Sequence, residues 1–147
     1  MTDDSTTAAE SALRETIQGE GAHVVHVWAP WCGNSVNELA PVWAGAAPRR
    51  AASVTHVAVW SDGDDGADVL RAHGVDVGGP EGGAVLAVPG PRPAPPERRL
   101  TLLGLPVTWI PTTWVFNRGG LLATAFNYGE VSADALAAAI DGAGRSW

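Results

Sequence analysis

The chain has one cysteine in 147 residues, Cys32, and its sulfur is the strongest nucleophile on offer. A free thiol with a pKa of about 8.5 is only about 3% thiolate at pH 7, so its chemistry depends on its surroundings. Cys32 stands in Trp31-Cys32-Gly33-Asn34-Ser35. Before it, Val24 to Trp28 is a run of β-formers ended by Ala29-Pro30. After it, Ser35 to Ala44 carries Val36, Leu39, Ala40 and Trp43 at helical spacing. A strand-to-helix turn leaves backbone N–H groups without intrahelical partners. The positive end of the helix dipole favours thiolate there. The Asn34 and Ser35 N–H groups and the Ser35 hydroxyl are expected to donate to the sulfur, while Trp31 keeps one side of it dry. The bland alternative is a buried cysteine acting as a small hydrophobe; the turn context favours the reactive reading.

The count limits the reaction. With no second cysteine there is no internal disulfide, which fits a reducing compartment. Any mixed disulfide formed at Cys32 must be released by an outside thiol, either a low-molecular-weight thiol or a cysteine on another chain. His26 lies six residues earlier, on the strand face shared with Val24 and Trp28. It is read either as a proton acceptor, since imidazole titrates in the useful range, or as a core histidine with a satisfied hydrogen bond. His23, His56 and His73 lack metal-ligand spacing and are read as surface or strand residues; no metal is expected. In Asp62-Gly63-Asp64-Asp65-Gly66 the glycine comes a position early for a calcium loop and the closing glutamate is missing. It reads as a turn and helix start.

The elements that must position these residues follow from pattern. Residues 1–5 form a polar tail, and Thr6–Gln18 is a helix with Ala9, Ala12, Leu13 and Ile17 on one face, stopped by Gly19-Glu20-Gly21. Pro41 kinks the Ser35–Ala44 helix. Ala51–Trp60 is a second buried strand and Ala67–His73 a helix. Gly78–Pro96, rich in proline and glycine, is expected as an exposed insertion with room for a short strand at Ala84–Val88. Trp109–Phe116 is a strand, turned by Asn117-Arg118-Gly119-Gly120 into Leu121–Phe126. Ser132 caps a last helix with Leu136, Ala139 and Ile140 facing inward. Of the tryptophans, Trp28, Trp43, Trp60 and Trp114 read as core, Trp31 and Trp109 as flanking the site, and Trp147 as a chain end.

Two segments together resemble the thioredoxin superfamily. Trp31-Cys32-Gly33-Asn34-Ser35 is similar to the W-C-x-x-C redox motif with serine replacing the second cysteine. About 80 residues on, Ile110-Pro111-Thr112-Thr113-Trp114-Val115-Phe116 resembles the family's cis-proline strand. The resemblance implies an α/β thioredoxin fold over residues 1–147, with a central mixed sheet and helices on both faces. It also implies kinship with TlpA/ResA-like thiol–disulfide oxidoreductases. On that resemblance Cys32 acts by a monothiol mechanism, with Ser35 beside it and His26 where relatives carry a buried aspartate. Trp31, Gly33 and Asn34 shape the turn. Pro111 is cis and sits against the sulfur, and Ile110 pairs its backbone with an extended substrate. Tyr128 and Gly129 complete the rim.

Other resemblances bear on the reaction. The peroxiredoxin threonine, three residues before the cysteine, is replaced here by Ala29. C-G-N-S also resembles the C-G-F-S of monothiol glutaredoxins, which makes an iron–sulfur scaffold a minor alternative. A thioredoxin-fold peptide-binding module without turnover is the runner-up.

Composition narrows the partners. A net charge of -7 with nine basic residues argues against nucleic acid. No apolar run approaches the roughly 18 residues of a membrane span. The first residues, MTDDSTTAAESAL, lack the basic and apolar regions of a secretory signal, so a cytoplasmic protein is expected, with an exported parent trimmed of its leader as the alternative. The expected partners are protein or small-molecule disulfides and thiols. No cofactor is expected beyond a low-molecular-weight thiol as co-substrate, and the oligomeric state is left open.

Overall fold

All six residues of β1, His23–Trp28, are buried, as in a strand covered on both faces. The computed structural model describes residues 4–79, 82–94, 99–117 and 119–145. In it β1 runs parallel to β2 (Ser53–Ala58) and antiparallel to β6 (Thr112–Phe116). Beyond β2 lies parallel β3 (Ala84–Ala87), and beyond β6 lies antiparallel β7 (Leu122–Asn127). The five-stranded order is β3-β2-β1-β6-β7.

Both faces carry helices. On one, α1 (Asp4–Ile17) lays Ala9, Leu13 and Ile17 against Val25, Val27, Val57 and Phe116. The other is covered by α2 (Gly33–Asn37), a π-helical segment Leu39–Trp43, α3 (Ala67–Ala72) and α4 (Ala133–Arg145). Leu39, Val42, Trp43, Leu70, Leu136 and Ile140 pack there on Val24, Trp28, Ala58 and Val115. Ser132 caps α4, its Oγ accepting from the Ala135 N–H at 3.0 Å.

Several boundaries depart from the sequence pattern. The Ser35–Ala44 helix breaks in two at Glu38, because Pro41 has no N–H to give the Asn37 carbonyl. The Val42 N–H still donates to the Glu38 carbonyl at 3.1 Å, and a π-type bond runs from the Ala44 N–H to the Leu39 carbonyl, 2.9 Å. The α-helical part after Cys32 is therefore only five residues long. Helix α1 starts at Asp4, so residues 4 and 5 belong to it rather than to a tail. Within Gly78–Pro96 the short strand expected at Ala84–Val88 is present as β3, and it forms one edge of the sheet with Val88 buried, so this part of the segment belongs to the sheet instead of standing exposed. Strand β6 begins at Thr112, leaving Trp109, Ile110 and Pro111 in the loop before it.

A hairpin of β4 (Leu100–Leu102) and β5 (Leu105–Val107) has no counterpart in the sequence reading. Its turn is Leu103-Gly104, both at positive φ, 56° and 76°. Tight hairpins ordinarily signal themselves with Asn-Gly or Asp-Gly; Leu103 instead packs on the α1 core. Trp147 and Arg118, both named from the sequence, lie outside the described residues.

Candidate active site

Where β1 ends, Ala29 and Pro30 turn the chain. The Cys32 N–H donates to the Ala29 carbonyl at 3.1 Å, and the Cys32 carbonyl accepts from the Val36 N–H at 3.0 Å. Cys32 itself is extended (φ -88°, ψ 118°), the residue just before α2. That bend leaves its side chain half-buried at the sheet's edge of the helix rather than inside the core. Strand pairing does the rest. Because β6 lies against β1, the loop before β6 reaches the same end of the sheet. The sulfur lies 4.0 Å from the Ile110 carbonyl oxygen, 78 residues away in sequence. The Ile110–Pro111 peptide bond is cis, and Pro111 is buried.

Trp31 forms the flank. Its indole Nε1–H donates to the Trp60 carbonyl at 2.8 Å, and the Arg92 guanidinium lies over its ring, 3.9 Å from the centroid. Trp60 takes a left-handed φ of 54°, uncommon for a bulky side chain, and its carbonyl is held by that indole. Gly33 and Asn34 are exposed. A Cβ on Gly33 would meet nothing within 4 Å, so close packing does not require glycine there.

One expectation needs correction. Ser35 is fully buried, and its hydroxyl accepts from the Ala29 N–H at 3.3 Å, tying the turn together from inside. Among the described residues the sulfur's hydrogen-bond contact is the Ile110 carbonyl, and neither Ser35 nor Asn34 donates to it. Of its two readings His26 takes the second, a core histidine hydrogen-bonded inside the fold. Its Nδ1 lies 2.9 Å from His56 Nδ1, and its ring stacks on Trp43 at 4.3 Å and Trp28 at 5.8 Å. Burial, then the neighbouring His56, holds His26 well below the usual imidazole range. Burial alone pushes His56 down to about 4. The pair is neutral at pH 7, and Cys32 is not among its described partners.

Sequence reasoning missed Glu38. It marks the break between α2 and the π-helical segment and is 6% exposed. Its Oε2 accepts from the Gly129 N–H at 3.3 Å, so Gly129 is tied to the end of α2. Burial raises this carboxyl to about 7, against the opposing pull of the Gly129 N–H. The available signal was a lone acid amid Val36, Leu39 and Val42, facing a core. Tyr128, next to Gly129, is 44% exposed, and Trp109, next to Ile110, is 79% exposed. No cluster of three or more His, Cys, Asp or Glu able to hold a metal is found among the described residues, nor any helix long and apolar enough to cross a membrane.

No protein-family model and no curated protein matches the sequence. Solved structures do resemble it. One is a secreted Mycobacterium tuberculosis disulfide oxidoreductase homologous to E. coli DsbE: TM-score 0.56 and 18% identity, covering 87% of this chain and 85% of that one. Another is a DsbF homologue from Corynebacterium diphtheriae: TM-score 0.56 and 20% identity, covering 85% and 73%. A third is MTB dsbF in mixed oxidised and reduced forms: TM-score 0.53 and 19% identity, covering 87% and 84%. Identities this low speak for backbone rather than chemistry. With the strand order found here, they establish that the chain has the thioredoxin fold.

Proposed function

We propose that the protein is a thiol–disulfide oxidoreductase working with a single thiol, Cys32, and akin within the fold to the TlpA/ResA-like proteins. The observation that supports this most is the half-exposed sulfur facing the Ile110 carbonyl beside Pro111. An extended peptide pairing with the Ile110 backbone would bring its own disulfide to that sulfur. The Cys32 thiolate attacks one sulfur of the partner disulfide. A new S–S bond forms to Cys32, the partner bond breaks, and its second sulfur leaves as a thiolate. An outside thiolate then attacks the mixed disulfide and returns the electron pair to Cys32. The oxidant is the partner disulfide and the reductant is the low-molecular-weight or protein thiol. In this reading Trp31 and Pro111 would bound the space around the sulfur, and Tyr128 and Gly129 would complete its rim. A reducing compartment such as the cytoplasm would supply the outside thiol.

The test is adduct formation. Treated with a peptide disulfide, the wild type should gain one mixed disulfide on Cys32, stable until a thiol is added. Cys32→Ala should gain none. An adduct-free wild type would end the proposal.

Exposed Trp109 and Tyr128 also favour a second reading, a peptide-binding module without turnover. In that case Cys32→Ser keeps full partner affinity, whereas Tyr128→Ala weakens it.

A further inference from the structure

On the sheet face covered by the π-helical segment, α3 and α4, a cleft of about 380 Å³ lies between the π-helical segment and β2. His56, Trp43, Pro48, Arg49, Val54 and Val75 line it; neither Cys32 nor Ile110 does. Cavities of this size are typical of small-molecule sites. His56 is 2% exposed and Trp43 3%, with their rings 5.4 Å apart.

The protons can be placed by counting hydrogen bonds. One proton lies between the two Nδ1 atoms of His26 and His56. If His56 donated it, His26 would carry its hydrogen on Nε2, which is buried without a partner. Orphaned buried N–H groups are rarer than under-satisfied acceptors. The cheaper arrangement has His26 donating to His56, which puts the second hydrogen of the pair on His56 Nε2. That atom belongs to the ring lining the cleft. The indole N–H of Trp43 also has no partner among the described residues. Asp76, the carboxylate among the lining residues, is already paired with Arg49, and the Ser53 hydroxyl is bonded to His23. The Trp43 N–H is closed off from the cleft, which therefore offers one unsatisfied donor, the His56 N–H, over walls of Pro48, Val54 and Val75.

We infer that this cleft binds a small carboxylate with an apolar body, the carboxylate accepting from the His56 N–H and the body packing on Val54, Val75 and Pro48. Nothing in this depends on the chemistry of Cys32. Benzoate and its neutral isostere benzamide are the probes, titrated into the full chain while the ring signals of His26 and His56 are followed by NMR. Benzoate should shift both saturably and bind at least tenfold more tightly than benzamide. Val54→Trp, which fills the cleft, should cost at least tenfold in benzoate affinity while leaving the alkylation rate of Cys32 unchanged. Equal affinity for the two probes, or no saturable shift of the His56 ring in the wild type, would overturn the assignment whatever the variant does.

Discussion

A single sulfur is held in reach of the Ile110 carbonyl by a turn whose inner tie is Ser35. That division of labour separates two roles that the sequence merged. If Ser35 acted on the sulfur, Ser35→Ala would slow thiol chemistry. In the geometry found, it instead orphans the buried Ala29 N–H. Ser35→Ala should therefore lose about 1–3 kcal/mol in urea unfolding, with an unchanged rate of Cys32 alkylation. Ser35→Cys supplies the missing resolving thiol one helical turn from Cys32. Its mixed disulfide with a peptide should discharge without added thiol, as the introduced thiol bridges to Cys32 and leaves a chain lighter by two hydrogens. At this scale Cys32, Trp31 and Pro111 were legible because the reactive residue type and its neighbours form local strings. The orientation of Ser35 and the burial of Glu38 were not, since both depend on contacts from outside those strings, the Ala29 backbone and Gly129.

Elements place the site by pairing, and pairing tolerates few substitutions at its close approaches. Gly66, the residue before α3, has φ 73°, and a Cβ there would stand 2.4 Å from the Trp28 ring. Trp28 is fully buried at the end of β1, just before the Cys32 turn, and has nowhere to move. Gly66→Ala should cost about 2–4 kcal/mol, read as a lower urea midpoint at unchanged slope. Strong periodic signals such as those of α1, α4 and β1 gave their elements correctly. Where prediction failed, a local signal met a tertiary one. Pro41 predicted a kink but not a π-helical continuation. The Leu103-Gly104 turn has no usual hairpin residue at its first position, and the short strand expected at Ala84–Val88 is present as β3, but its place in the main sheet, set by pairing with β2, was not legible from its proline- and glycine-rich surroundings. The facing of His26 and His56 is likewise a matter of register: parallel pairing sets the two opposite each other. Neither strand announces that alone.

Across the whole molecule, three buried titratable groups oppose one another, and their sum is a stability profile. His56 falls from 6.5 unfolded to about 4 folded, and His26 is lowered too. Below about pH 6.5 the unfolded chain therefore binds protons that the fold refuses, and stability drops with acid. Glu38 has the opposite sign. Raised from 4.5 to about 7, it is the folded state that holds the extra proton, a contribution complete below pH 4.5 and lost as pH rises through 7. Two histidines outweigh one glutamate on the acid side, so stability should peak near pH 7 in urea unfolding, where the protons on the unfolded histidines and on folded Glu38 balance. Glu38→Gln should remove the decline above the peak, gaining about 1–3 kcal/mol at pH 8 relative to the wild type. A variant no more stable than the wild type at pH 8 would mean that the Glu38 carboxyl is not raised. The redox proposal meets its most direct test in the mass of the intact wild-type chain after exposure to a peptide disulfide, first without and then with added thiol. One peptide per chain, on Cys32, held until the thiol arrives, is the predicted result. A chain that stays unmodified, or one that sheds the peptide with no thiol present, would contradict it.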